Sequence, residues 1–168
     1  GAKIAGARHI IAVDPVDNKR DRAPAFGATH TVASMEEAIG LIGEITWGQM
    51  ANVVIMAMGV GEGSLLATAL AMCGKRGKVV VTNIHRALET SATVSLLDLT
   101  LMEKRIVGSL FGSANPRADI PKLLHLYRSG KLDLDNMVTR TYPLDDVNKG
   151  YEDMREGRNI RGVLLMND

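Results

Sequence analysis

The sequence has a single cysteine and no long hydrophobic run. Because Cys73 is the only cysteine among 168 residues, no disulfide bond can form within the chain. The longest apolar run covers residues 53–58, far short of the roughly 20 residues with which a helix crosses a bilayer. We therefore expect a cytoplasmic protein without a membrane partner.

An excess of charge of either sign is also absent. The chain carries 20 basic and 19 acidic residues, which gives a formal net charge of +1. Lys19, Arg20 and Arg22 form a small basic cluster, but acidic residues lie among them, as is typical of a solvated loop. This balance gives no electrostatic basis for binding nucleic acid or an acidic membrane surface.

The sequence also lacks the motifs of a metal site or a catalytic triad. Its histidines, His9, His30, His85 and His125, do not have metal-ligand spacing, and one cysteine cannot complete such a set. No serine stands in a nucleophile-elbow motif. We identify no catalytic residue and no metal ligand in this chain.

What the sequence does contain is a regular alternation of strand-like and helix-like segments. Short apolar runs predict strands at residues 10–13, 30–32, 53–58 and 78–82. Helical spacing of apolar residues predicts helices at residues 36–45 and 64–73. This order predicts a doubly wound α/β sheet of parallel strands. The run at 53–58 is apolar throughout, which predicts a strand buried on both faces.

The pattern changes after residue 90, and turns become denser from Gly112 onward. The predicted elements there are an extended segment at 92–96, a helix at 97–103, a strand at 106–111, a helix at 119–129, an extended segment at 137–142, a helix at 144–156 and a strand at 162–166. We expect Val147, Tyr151 and Met154 to face inward from the helix at 144–156. A domain boundary near Gly112 would separate residues 1–111 from residues 112–168.

Asp14 is the first candidate for a ligand-binding residue. It follows a predicted parallel strand, where an acidic side chain can accept hydrogen bonds from both ribose hydroxyls of an adenosine. A carboxylate there also repels a 2′-phosphate, which favours NAD over NADP. The Asp14-Pro15 pair is also typical of a turn, in which the side chain only caps the backbone. From the residues alone, both interpretations stay open.

The glycine fingerprint that holds a pyrophosphate precedes such an acid by roughly 20 residues, so here it would lie before Gly1. The opening stretch GAKIAGA is typical of the last turns of a helix, and we expect the sequence to be a piece of a longer chain or to be completed by another copy. Residues 58–64, MGVGEGS, have G-x-G-x-G spacing and are interpreted as a strand-to-helix turn. A methyltransferase-like site is the alternative, which the order of the motifs disfavours.

Five segments keep an order and spacing that are typical of one family. They are AGARHIIAVDPVDNKRDRAPAFGATHTV, ANVVIMAMG, GKRGKVVVTNI, LMEKRIVGSLFGS and YPLDDVNKGYEDMREGRNIRGVLLM. On these segments the chain resembles the C-terminal part of the medium-chain, zinc-type alcohol dehydrogenases, including the nitrosoaniline-dependent branch that holds its nicotinamide tightly. Met56 departs from the acid that the family often has there. The resemblance implies an incomplete Rossmann domain that lacks its first strand, followed by the C-terminal segment of the catalytic domain.

The resemblance also implies cofactor contacts for particular residues. The residues that would contact NAD are Asp14 and Lys19 at the adenosine ribose, Ala57 and Met58 on the adenosine side, Thr82 and Asn83 near the nicotinamide, Ser109, Leu110 and Phe111 at the carboxamide, and Arg161 at the pyrophosphate. We expect no catalytic residue of the family within this chain.

The function implied by the resemblance is NAD-dependent alcohol oxidation. In the family, zinc polarises the alcohol oxygen and hydride passes to the nicotinamide. The zinc ligands precede the cofactor domain, so we expect none in this chain and no activity from the chain alone. Residues 91–96, SATVSL, match the edge strand through which the family forms dimers, and we expect a homodimer or larger assembly. A non-catalytic nucleotide-binding or dimerisation module is the alternative function.

Overall fold

The computed structural model describes residues 1–166, which form two compact units. The discontinuous unit combines Gly1–Ala33 with the described residues from Asn115 onward, and the central unit is Ser34–Ala114. All strand pairs among the described residues are parallel, so the predicted α/β class is confirmed. The domain boundary near Gly112 stays a prediction.

Nine strands and six α-helices make up the described part of the chain. In chain order they are β1 (Ile11–Val13), α1 (Asp17–Arg22), β2 (His30–Val32), α2 (Met35–Ile45), β3 (Ala51–Met56), β4 (Val60–Gly61), α3 (Leu65–Ala71), β5 (Cys73–Val81), β6 (Ile84–His85), α4 (Leu96–Leu101), β7 (Arg105–Gly108), α5 (Pro116–Arg128), β8 (Val138–Pro143), α6 (Val147–Arg155) and β9 (Arg161–Leu165).

The discontinuous unit contains two parallel strand pairs. β1 pairs with β2 through the connection formed by α1 and a 3₁₀ turn, Ala23–Phe26. β8 pairs with β9, and α6 is the crossover between them. α5 begins with Pro116, whose missing amide hydrogen costs nothing at the first helical position.

The first seven residues have the hydrogen bonds of a helix C-terminus. The N–H of Ala7 donates to the carbonyl of Ala2, and the N–H of Gly6 donates to that of Lys3, each at 3.0 Å. Gly6 has a φ of +77°, which completes the Schellman motif that closes many helices. The segment forms a hydrogen-bonded turn, and its geometry agrees with the interpretation of GAKIAGA as the end of a helix.

The central unit is built on a three-stranded parallel sheet in the order β3-β5-β7, with β4 and β6 as a short additional pair. α3 contributes Ala69 and Leu70 to a core that Met56, Cys73 and Val79 complete from the strands. α2 starts at a side-chain N-cap, because the Ser34 hydroxyl accepts the N–H of Glu37 at 3.2 Å.

Two sequence-based expectations about this sheet are wrong. The strand at 53–58 was expected to be buried on both faces, but it ends at Met56, and Val53 and Ile55 are 44% and 59% exposed. The segment at 92–96 was expected to be extended throughout, but Leu96 is the first residue of α4. The physical reason is the cap: the Ser95 hydroxyl accepts the N–H of Asp98 at 3.1 Å.

Candidate functional site

Asp14 stands at the end of β1 in a turn that uses only one of its carboxylate oxygens. Its N–H donates to the carbonyl of Val32 at 3.2 Å, which fixes it beside the end of β2. Oδ1 accepts the N–H of Val16 at 2.9 Å, as in an Asx turn. Oδ2 lies 3.6 Å from the ammonium nitrogen of Lys19. The turn role is therefore real, and it leaves the second oxygen available for a ligand.

The backbone of this turn is held from two sides. The guanidinium of Arg20 donates to the carbonyl of Asp14 at 2.6 Å and also pairs with the carboxylate of Asp17. Asn18, in the first turn of α1, donates from its amide to the carbonyl of Gly157 at 3.3 Å. The position of Asp14 is thus tied both to α1 and to the segment that follows α6.

Six of the remaining predicted residues lie at one edge of the central sheet. Ala57 and Met58 follow β3, Thr82 and Asn83 follow β5, and Ser109 and Leu110 follow β7. The strand ends are joined, because the N–H of Thr82 donates to the carbonyl of Met56 at 3.1 Å and that of Ser109 donates to the carbonyl of Val81 at 2.9 Å. Ligands of open parallel sheets bind outside this carboxyl edge.

Asn83 presents an unpaired acceptor at this edge. Its amide nitrogen lies 3.3 Å from Nε2 of His85, but its Oδ1 is buried without a hydrogen-bond partner in the described part of the chain. A buried acceptor without a partner costs free energy, and such exceptions are uncommon in proteins. A hydrogen-bond donor of a ligand could satisfy it.

The glycines of MGVGEGS allow close approach of other protein segments. A Cβ at Gly61 would overlap the Asn83 amide, and one at Gly63 would lie 2.6 Å from the carbonyl oxygen of Ser91. The N–H of Gly63 donates to the carboxylate of Glu89. This geometry matches the interpretation as a strand-to-helix turn, and it explains the glycines without a phosphate.

An open cavity of about 230 Å³ lies in the same unit. Met56, Leu66 and Val81 form its apolar wall, and His85 and Glu89 contribute polar groups. Nothing in the sequence context of Glu89 marks it as a candidate functional residue.

The loop after β7 has an unusual backbone. Phe111, Gly112 and Ser113 have φ angles of +48°, +71° and +55°, and a left-handed conformation costs roughly 1–2 kcal/mol for a residue with a side chain. The hydroxyl oxygens of Ser109 and Ser113 lie 3.2 Å apart across the loop. Phe111 is 88% exposed. Strain of this kind is concentrated at functional sites, which keeps the loop a candidate.

Arg161 opens β9 in the discontinuous unit. It is exposed, and its guanidinium makes no hydrogen bond or ion pair with the described residues. It lines an open groove of about 220 Å³ together with Tyr151 and Met154. These two side chains were expected to face inward from α6, but they are 55% and 58% exposed, so that expectation is wrong.

The residue that α6 does bury is Asp153, which the sequence analysis missed. Its carboxylate accepts hydrogen bonds from the Tyr142 hydroxyl at 2.7 Å, Arg158 Nε at 2.6 Å and Arg140 Nη1 at 2.7 Å. The Tyr142 hydrogen bond, followed by that of Arg158, lowers the pKa of Asp153 from 3.8 to about 2. An acidic residue on a helix with Tyr and Arg at nearby positions is too common a pattern to predict this.

Residues 1–166 contain no group of three or more His, Cys, Asp or Glu side chains that could hold a metal ion. In the same residues, no helix is long and apolar enough to cross a membrane.

Comparison with known proteins identifies the family. A family model described as zinc-binding dehydrogenase matches residues 1–129. The chain belongs to the zinc-binding dehydrogenase family. The predicted family is therefore confirmed.

Three relatives of this zinc-binding dehydrogenase chain all carry alcohol dehydrogenase names. The putative alcohol dehydrogenase D of Mycobacterium tuberculosis is 47% identical over 165 residues, which is 98% of this chain and 45% of that protein. The NDMA-dependent alcohol dehydrogenase of Amycolatopsis methanolica is 46% identical over 98% of this chain and 44% of its own length. The crystal structure of benzyl alcohol dehydrogenase from Acinetobacter calcoaceticus matches with a TM-score of 0.89 and 33% identity, over 99% of this chain and 45% of that one. The chain thus spans less than half the length of these relatives.

Proposed function

We propose that the full-length gene product is an NAD-dependent, zinc-type alcohol dehydrogenase and that this chain supplies cofactor-binding parts of it. The observation that carries the proposal is the pair formed by Asp14 and Lys19 at the end of β1. Family membership supports it, as do the alcohol dehydrogenase names of the 47% and 46% identical relatives.

In the discontinuous unit, the proposal assigns the adenosine ribose to Asp14 and Lys19. Oδ2 of Asp14 would accept the ribose hydroxyls, while Oδ1 keeps its hydrogen bond to Val16. Lys19 would donate to the same ribose. A 2′-phosphate in that place would meet the carboxylate at short range, so NADP would be rejected. Arg161, whose guanidinium is exposed, would pair with the pyrophosphate.

In the central unit, the residues at the carboxyl edge would meet other parts of NAD. Ala57 and Met58 would lie on the adenosine side, and Thr82 and Asn83 near the nicotinamide. The backbone of Ser109, Leu110 and Phe111 would bind the carboxamide, and the unpaired Oδ1 of Asn83 is the observation that makes a donor-bearing ligand fit here. When bound, NAD supplies the hydride acceptor, while these residues orient it.

Zinc does not fit the described residues, because none of them form a ligand set. We therefore derive no step through zinc from this chain. The proposal requires that its ligands come from a part of the protein that this chain does not include, and that the substrate is a small alcohol or aldehyde. The chain by itself is then inactive.

A subunit contact and a cytoplasmic location complete the proposal. Residues 91–94 make no backbone hydrogen bond within residues 1–166, so a second copy could pair with them as an edge strand. Leu96, which follows them, is exposed but belongs to α4. The single cysteine supports a reducing compartment.

The proposal is tested by assaying the full-length gene product with a panel of small alcohols. Two acceptors are compared, free NAD and a nitrosoaniline. We expect alcohol-dependent reduction of one of them. Turnover with the nitrosoaniline alone, together with nicotinamide that stays with the protein through gel filtration, would assign the nitrosoaniline-dependent branch, and the NDMA-dependent name of the Amycolatopsis relative supports that assignment. NAD binding without turnover of any alcohol would instead support a non-catalytic nucleotide-binding module.

A further inference from the structure

The loop between α6 and β9, residues 156–160, is anchored at four successive residues. The carbonyl of Gly157 accepts the amide of Asn18. The N–H of Arg158 donates to the carbonyl of Asp153 at 2.8 Å. The amide of Asn159 donates to the Tyr142 hydroxyl at 3.0 Å, and the N–H of Ile160 donates to the Thr139 hydroxyl at 2.9 Å.

Asp153 is the centre of these anchors. It is 2% exposed and accepts three hydrogen bonds, of which two come from arginines. Hydrogen bonds to an ionised carboxylate are roughly twice as strong as neutral ones. Because Tyr142 donates to Asp153 and accepts from Asn159, the carboxylate orders two residues of the loop, Arg158 directly and Asn159 through the tyrosine.

The anchored loop fixes the backbone on both sides of Arg161. Ile160 is held by Thr139 on one side. On the other side Gly162 packs on the Tyr142 ring, since a Cβ there would come within 2.9 Å of the ring carbon Cε2. The backbone of Arg161 is therefore restrained, while its guanidinium makes no hydrogen bond or ion pair with residues 1–166.

Neither arginine partner of Asp153 is a better candidate for the ligand contact. Arg140 and Arg158 both direct guanidinium nitrogens at the buried carboxylate, and Arg158 also pairs with Glu152 and Glu156. If either arginine turned away from Asp153, the buried carboxylate would lose one of its three hydrogen-bond donors, which is costly. These two arginines are part of the support, and of the three arginines Arg161 is the one whose guanidinium is left for a ligand.

We propose that Asp153 is a positioning residue for cofactor binding, which through Tyr142 and Arg158 holds the loop 156–160 so that Arg161 is presented to the pyrophosphate of a dinucleotide. The proposal rests on the proposed function, because it takes Arg161 as the pyrophosphate contact. The hydrogen bond from Asn18 to Gly157 links the same loop to α1, but Asp14 keeps its own hydrogen bonds to Val16 and Val32, so the ribose contact does not depend on this support.

The test uses the cofactor-free, full-length gene product and two probes, adenosine and ADP-ribose. Adenosine carries the ribose that Asp14 would bind, and ADP-ribose adds the pyrophosphate. Calorimetry gives both dissociation constants for the wild type, Asp153→Asn, Arg161→Ala, the double variant and Asp145→Asn. Asp145 is the matched control, because it is an exposed aspartate just before α6 whose carboxylate makes no hydrogen bond or ion pair with residues 1–166.

Arg161→Ala and Asp153→Asn should each weaken ADP-ribose binding by about tenfold, which is about 1.4 kcal/mol, and change adenosine binding by less than about twofold. The double variant should be no weaker than Arg161→Ala, because Asp153 acts through Arg161. Asp145→Asn should match the wild type. If Asp153→Asn does not fold, the same two dissociation constants are measured for Tyr142→Phe. This variant removes the hydroxyl that links Asp153 to Asn159 and keeps the aromatic ring.

Three results would overturn the inference: unchanged ADP-ribose binding in the Asp153 and Tyr142 variants, equal losses for both probes, or additive losses in the double variant. If the wild type binds neither probe, or if Arg161→Ala leaves the dissociation constant for ADP-ribose unchanged, the proposed function itself fails, because Arg161 then does not bind the pyrophosphate. The two failures are therefore distinguishable.

Discussion

The ammonium nitrogen of Lys19 lies 3.6 Å from the Oδ2 atom of Asp14, across the turn that joins β1 to α1. The other carboxylate oxygen of Asp14 is engaged with the backbone of Val16. One acceptor and one donor thus face the same side of a strand end, which is the arrangement that a pair of ribose hydroxyls requires.

Lys19→Met should weaken NAD binding by about three- to tenfold, because a hydrogen bond from a charged donor is lost while most of the side-chain volume is kept. Lys122→Met is the control, since Lys122 also pairs with an aspartate, Asp119, at 2.9 Å. Calorimetry on cofactor-free, full-length protein measures both variants. Equal affinities for NAD in the wild type and Lys19→Met would remove Lys19 from the site.

The Asp153 cluster predicts a pH-dependent difference in stability. Because the pKa of Asp153 is lowered to about 2 in the folded protein, its ionised form stabilises the fold fully above the ordinary value of 3.8. That contribution is lost as the pH falls through about 2. The wild type should therefore melt above Asp153→Asn at pH 5, and the difference should shrink towards pH 2. A constant difference across this range, or the same behaviour in the control variant Asp145→Asn, would contradict the assignment.

The core of the central unit predicts that a cavity made there lowers the stability of the fold strongly. Leu70 is 2% exposed and packs against Met56, Cys73 and Val79. Leu70→Ala should lower the free energy of unfolding by about 2–5 kcal/mol. Leu88→Ala, at a position that is 95% exposed, should change it by less than about 0.5 kcal/mol. Urea unfolding checks both, and similar losses in the two variants would mean that the core is wrongly assigned.

The proposed subunit contact predicts that Val94→Pro lowers the oligomeric state. Proline removes an amide donor and adds a ring at the edge that a second copy would pair with. Ala87→Pro is the control, because Ala87 is the second residue of a turn closed by Arg86 and Glu89, where proline is tolerated. Light scattering should show a smaller assembly for Val94→Pro only. A monomeric wild type, or a Val94→Pro variant that assembles normally, would exclude this contact.

Much of the fold could be predicted because the apolar pattern and the helix signals agree. The alternation of short apolar runs and helical spacing predicts parallel strands joined by helices, and the structure has them. The cap at Ser95 was equally present in the sequence as Ser-x-x-Asp, and it determines where α4 begins. Burial of Val53 and Ile55 could not be predicted, because it depends on what covers that face of β3.

The candidate site was predictable only in part. Asp14 and Lys19 come together because they are five residues apart across one turn, so local geometry determines their distance. Asp153 was missed because its partners come from two other segments, Arg140 and Tyr142 on β8 and Arg158 in the loop after α6, which only the β8–α6–β9 crossover brings together. The unpaired Oδ1 of Asn83 could not be predicted either, because the Asn83 amide lies against Gly61, which belongs to a separate segment of the chain.

The most direct test of the account is the ratio of NAD to NADP affinity in the cofactor-free, full-length protein, measured before and after Asp14→Gly. Glycine removes the carboxylate that would repel the 2′-phosphate and accept the ribose hydroxyls. We predict that the wild type binds NAD more tightly by at least about 100-fold and that Asp14→Gly narrows this preference by at least about tenfold. An unchanged ratio in Asp14→Gly would show that Asp14 is only a turn residue and would contradict the account.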